Sequence, residues 1–139
     1  MKQINVYLGL NGKCREAMTF YKECLGGGEL NLQTVGESPV ADQMPPNFSK
    51  GQILYSTLVK DGVTIMGSDM NRGKSVNGNT VGICVNCSSA EEIQTMFTKL
   101  SKGGTIDDPL KEQFWGDTFG TLTDKYGKPW MFNYTKNQQ

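Results

Sequence analysis

Glu112 and Asp117 bracket the stretch EQFWGD, which sets two acids, an amide, two aromatic rings and a glycine on six residues. Two carboxylates this close in sequence are candidates for a general acid and a general base, provided burial moves the pKa of one away from the other. Between them, Gln113 and Trp115 offer a polar and an aromatic contact, the mixture that lines a small-molecule pocket. A structural use accounts for the same residues: Phe114 and Trp115 close the end of a sheet, Gly116 permits a bulge, and Asp117 caps a turn.

Cys84 and Cys87 form a C-x-x-C, the spacing of a redox pair or half a zinc site. They lie in TVGICVNC, where Val81, Ile83 and Val85 alternate as a strand does, so side chains three apart point to opposite faces. No second C-x-x-C exists, and Cys14 and Cys24 fall on a predicted helix, so the four thiols are read as reduced packing residues. The chain has no histidine. That excludes Ser-His and Cys-His nucleophiles and removes both the usual acid/base group at neutral pH and the commonest transition-metal ligand.

Lys plus Arg and Asp plus Glu both number 14, giving zero net charge and a pI near 6.2. Such a balance supplies no pull toward nucleic acid or an anionic membrane. NRGKSVNGN and FSKG read as polar loops without aromatics interleaved for base stacking. No apolar run reaches membrane length and the N-terminus lacks a signal-peptide pattern, so a cytoplasmic location is expected.

The elements that must position these residues follow from periodicity. Ile4 to Leu10 alternates as a strand, with Tyr7 on the same face as Asn5, and Ala17, Met18, Tyr21 and Leu25 fall at helical spacing before Gly26 to Gly28. ELNLQTV is a strand, residues 37–51 a proline-rich loop, and QILYSTLVKDGVTIMGSD two strands around an Asp61-Gly62 turn. After the polar linker MNRGKSVNGN the order returns. TVGICVN is a strand, and SSAEEIQTMFTKLSKGG a helix capped by Ser88 or Ser89 with Glu91 or Glu92. TIDDPL is a short strand and GDTFGTLTDKYGKPWMFNY a hairpin. TLVKDGVTIM parallels TLTDKYGKPWM, and FYKECLGGGEL parallels MFTKLSKGGTI, so the chain is a doubled βαβββ unit. The predicted fold is α+β: one domain over 1–139, with repeats at about 1–70 and 79–136. Two curved, antiparallel-rich sheets then enclose a central cavity.

A doubled βαβββ unit resembles the vicinal oxygen chelate superfamily of glyoxalase I, extradiol dioxygenases, fosfomycin resistance enzymes and bleomycin-binding proteins. YLGLNGKCREAMTFYKECLGG and EQFWGDTFGTLTDKYGKPWMF resemble its PhnB-like branch, the 3-demethylubiquinone methyltransferase-like domain, over nearly the whole chain. The resemblance implies a homodimer. In metal-bearing members, each repeat gives one ligand from its first strand and one from its last. Those places fall here on Asn5, Met66, Thr80 and Met131. An amide, a hydroxyl and two thioethers are not the carboxylates or imidazoles a hard divalent ion wants, so neither metal nor cofactor is expected. Flexible Met66 and Met131 instead suit the floor of an apolar ligand cavity. No glycine-rich loop follows a strand to cradle a nucleotide-like cofactor. The expectation is a small-molecule-binding protein that sequesters a ligand or antibiotic. The alternative is a glyoxalase- or dioxygenase-like enzyme on a small oxygenated substrate, with atypical metal ligation or none.

Overall fold

The computed structural model describes residues 1–38, 51–70 and 74–136, so most of the loop expected over residues 37–51, and part of the linker after it, lie outside the described residues. The chain forms two compact units, Met1–Ser75 and Val76–Gln139, and each holds one βαβββ repeat.

The first unit consists of β1 (Val6–Gly9), α1 (Cys14–Cys24), β2 (Glu29–Thr34), β3 (Ile53–Lys60) and β4 (Val63–Ser68). Its open sheet has the order β1-β4-β3-β2, with β1 parallel to β4 and the other pairs antiparallel. β1 is shorter than the alternation of Ile4 to Leu10 suggests, because its ladder starts at Val6 opposite Ile65 and leaves Ile4 exposed. Asp61 and Gly62 make the tight turn, both at positive φ (51° and 80°), the backbone that matches strand twist in a two-residue hairpin.

On α1 the buried stripe is Cys14, Ala17, Met18, Tyr21 and Cys24, packed over β2, β3 and β4. Leu8, Leu58 and Ile65 face it from the sheet. The helix stops where Gly26, Gly27 and Gly28 all take positive φ, with the Gly27 amide bonded to the Lys22 carbonyl at 2.8 Å. The Lys60 ammonium donates to the Leu25 carbonyl there.

The second unit repeats the plan with β5 (Ile83–Cys87), α2 (Ala90–Leu100), β6 (Thr105–Glu112), β7 (Asp117–Thr123) and β8 (Pro129–Thr135), in the order β5-β8-β7-β6. Here β5 runs parallel to β8. Ile93, Phe97 and Leu100 pack against Leu122, Trp130 and Phe132, with Phe97 edge-on to Phe132 at 5.7 Å. Buried Asp124 orders the β7–β8 turn. One oxygen accepts the Tyr126 and Lys128 amides (2.8 and 3.0 Å), and the other accepts the Trp130 indole N–H (2.8 Å). β6 runs two residues past TIDDPL because Lys111 and Glu112 pair with Phe119 and Thr118, and as an edge strand it tolerates Pro109 and two register shifts.

The EQFWGD stretch precedes the β7–β8 hairpin as expected, and it is also the turn of a second hairpin: β6 ends at Glu112, β7 starts at Asp117, and the Gln113 amide closes the loop on the Asp117 carbonyl at 2.6 Å. Gly116 sits at φ 97°, so its glycine serves the turn and not a bulge. Among the described residues no helix is long and apolar enough to cross a membrane.

Candidate ligand face of each repeat

In each unit the helix covers one face of the sheet, and strand alternation sends every second side chain to the other. In the first unit, register aligns Tyr7, Met66, Thr57 and Asn31 across β1, β4, β3 and β2 on that second face. Tyr7 is 54% exposed, and Tyr55 and Val59 on the same face are also exposed. Asn5 sits two residues before Tyr7, and its amide donates to the Met66 sulfur at 3.9 Å. Three of the expected residues, Asn5, Tyr7 and Met66, are therefore neighbours on one surface.

The second unit builds the matching row: Cys84, Met131, Thr121 and Asp108 across β5, β8, β7 and β6. Met131 is 36% exposed and occupies the place of Met66, as the internal repeat requires. The Thr121 hydroxyl donates to Asp108, and the Thr123 hydroxyl to Asp107, each at 2.8 Å. The register also revises the repeat alignment at one position. Met66 faces Tyr7 and Met131 faces Cys84, so the counterpart of Asn5, two residues ahead, is Gly82 and not Thr80. Thr80 lies exposed, ahead of β5 and outside any strand.

Gln113 and Trp115 stand at the β6–β7 tip, four residues of β7 away from Thr121, about 13 Å of strand. They do not join the methionine row. Trp115 packs edge-on against Phe114 at 4.8 Å, with the two rings 57% and 96% exposed, so in this unit they close no sheet end. Gln113 spends its side-chain N–H on the Lys111 carbonyl (3.1 Å). Glu112 pairs with Lys136 at 3.1 Å on the surface, and Asp117 opens β7. Neither acid lies in the enclosed, desolvated setting that acid/base work needs.

Sequence reasoning undervalued Cys84, Thr57 and Thr121. The Thr57–Thr121 match in the repeat was the available signal, and only strand register turned it into adjacency. Cys84 is exposed on the open face while Cys87 is buried on the helix side, so the C-x-x-C pair diverges, and none of the four cysteines forms a disulfide. Burial pushes the thiols of Cys14 and Cys87 up to about 11, which leaves them almost wholly protonated and poor nucleophiles at neutral pH.

With Gly82 in the place expected of Thr80, the side chains at the positions where the resemblance puts metal ligands are one amide and two thioethers, a set unsuited to a hard divalent ion. Among the described residues no group of three or more His, Cys, Asp or Glu side chains is placed to hold one. A nucleotide-like methyl donor finds no cradle after β1 either. The chain there makes a two-residue turn, Asn11 and Gly12, closed by the Lys13 amide on the Leu10 carbonyl at 2.8 Å.

Comparison with known proteins places these features. The family model described as 3-demethylubiquinone-9 3-methyltransferase matches residues 2–132. Protein YjdN of Escherichia coli K12 is 33% identical over 144 residues, with 97% of each chain covered. The crystal structure of PA1353 from Pseudomonas aeruginosa matches with a TM-score of 0.85 at 34% identity, over 97% of this chain and 98% of that one. A PhnB protein from Bacillus cereus, named for the same methyltransferase, matches at 0.77 and 27%, over 96% and 100%. A glyoxalase/bleomycin resistance protein/dioxygenase family enzyme from Burkholderia phytofirmans shares the fold at 0.59 and 11%, over 95% of each chain.

Proposed function

Because the chain belongs to the 3-demethylubiquinone-9 3-methyltransferase family, the PhnB-like branch of the glyoxalase/bleomycin resistance/dioxygenase superfamily, we propose that it binds a small, partly apolar molecule on its open sheet faces without a metal ion. Its role is then to hold or sequester that molecule, an aromatic antibiotic or phenolic metabolite being the class that fits.

One observation carries this reading: a methionine flanked in register by a threonine and by Tyr7 or Cys84 recurs at the same place on the uncovered face of both repeats. Thioethers adapt to flat apolar ligands, tyrosine and threonine supply hydroxyls to orient them, and neither set is spent on the helix-side core. The exposed ion pair of Glu112 with Lys136 favours binding over acid/base chemistry at EQFWGD.

The test is a thermal-shift and fluorescence titration with aromatic antibiotics and phenolic metabolites, on wild type, Met66→Lys and Met131→Lys. Met131→Lys, at the more exposed site, leaves unfolding free energy within about 0.5 kcal/mol, and Met66→Lys, at a half-buried one, lowers it by about 1 kcal/mol, so both proteins stay folded. At least one weakens saturable binding by about tenfold, roughly 1.4 kcal/mol. Undiminished binding in both variants, or consumption of the ligand, overturns the reading.

A further inference from the structure

Two Asn-Gly dipeptides occur outside the ligand faces, Asn11-Gly12 and Asn77-Gly78, and the structure treats them differently. Asn11 and Gly12 form the tight β1–α1 turn at φ 44° and 88°, closed by the Lys13 amide on the Leu10 carbonyl. Asn77 is exposed in a stretch, residues 75–78, that belongs to no helix or strand, and a side chain added at Gly78 would meet nothing within 4 Å. Its carboxamide oxygen accepts a 2.6 Å hydrogen bond from the Lys128 ammonium, on the residue that leads into β8. The same carboxamide leans on Gly127, where an added Cβ would lie 2.6 Å from its nitrogen.

We propose that Asn77 is a self-modification site, at which the Gly78 backbone nitrogen displaces ammonia from the Asn77 carboxamide with help from Lys128. A bond forms between the Gly78 nitrogen and Asn77 Cγ, the Cγ–Nδ2 bond breaks, and Nδ2 leaves as ammonia carrying the proton from the Gly78 amide. Water then opens the five-membered imide at one carbonyl or the other, leaving aspartate or isoaspartate. Charge develops on Oδ1 as the nitrogen attacks, and a cation already hydrogen-bonded to that atom stabilises it, as an oxyanion donor does. Glycine at 78 leaves the attacking backbone free to rotate and unshielded by a Cβ. At Asn11 the same rotation would break a closed turn. The product carries a carboxylate against Lys128, replacing a neutral-acceptor hydrogen bond with an ion pair at the start of the strand that bears Met131.

The experiment ages the full chain in mildly alkaline buffer made with heavy-oxygen water and maps its peptides by mass. The peptide holding Asn77 gains one heavy oxygen and becomes acidic, about tenfold faster than the peptide holding Asn11. Gly78→Ala slows the change about tenfold, and Lys128→Met slows it by a similar factor, while Lys128→Arg restores it. Unfolding midpoints of the variants confirm that each is folded. Modification at Asn11 first, an unchanged Asn77 peptide, or an equal rate in folded Lys128→Met overturns the proposal.

Discussion

The two repeats start their helices by opposite means. α2 carries its cap beside it: the Ser89 hydroxyl accepts the Glu92 amide at 3.0 Å, and the Glu92 carboxylate accepts the Ser88 amide at 3.0 Å. α1 has no side-chain cap from Lys13. Its first amide, that of Cys14, is taken by Asp69, which lies just past β4 and whose other oxygen accepts the Ile53 amide at the start of β3 (2.9 and 2.8 Å). A cap within four residues stabilises a helix alone, whereas a cap brought in from 55 positions away exists only once the sheet has formed. One buried acid thus ties a helix and two strands together in the first repeat. In the second, the buried acid Asp124 is spent on its own turn and on Trp130.

This contrast can be broken most directly at Asp69. Asp69→Ala leaves two buried amides without acceptors, and at about 1–3 kcal/mol each the loss is roughly 4 kcal/mol in denaturant unfolding. An Asp69→Ala loss no greater than that of a local cap would show that the long-range tie is dispensable.

The helix–sheet contacts sharpen the comparison at smaller magnitude. Gly67 and Gly120 each sit under a helix, and an added Cβ at Gly67 would lie 3.0 Å from Met18, at Gly120 3.0 Å from Phe97 and 3.1 Å from the Asp108 carbonyl. A thioether yields more readily than a phenyl ring or a backbone. Gly120→Ala therefore costs about 2 kcal/mol and Gly67→Ala about 1, as measured by chemical denaturation of both variants. The reverse order would mean that the first core is the stiffer. Ser89→Ala is the smallest change, about 1 kcal/mol, because water replaces the lost acceptor at an exposed helix end. Its effect on the urea midpoint is readable only beside wild type measured in the same series.

Much of this was legible in the chain. The Asp61-Gly62 turn, both helices, a serine cap on the second (Ser88 or Ser89 with Glu91 or Glu92, formed by Ser89 and Glu92) and the doubled βαβββ order follow from local spacing, and each of them formed. EQFWGD precedes the β7–β8 hairpin as expected, but that it is also the β6–β7 turn was not legible, because β6 reads as strand only as far as TIDDPL. Its continuation through Lys111 and Glu112 is set by pairing with Phe119 and Thr118, which local preference does not encode. The candidate site was legible in part. Asn5, Tyr7 and Met66 came together, whereas Thr80 fell outside the strands, and Gln113 and Trp115 lay at the β6–β7 tip, away from Met131 and Thr121 of their own unit.

Alternation, helical period, turn glycines and the internal repeat are properties of neighbours along the chain, so the sequence alone determined the elements, their order and the side of each strand that meets a helix. Register and long-range capping couple residues tens of positions apart, and there the free energy depends on which strand lies opposite. Only the tertiary structure therefore decided that Cys84 is the neighbour of Met131, that Gly82 is the counterpart of Asn5, and that Asp69 holds the start of α1.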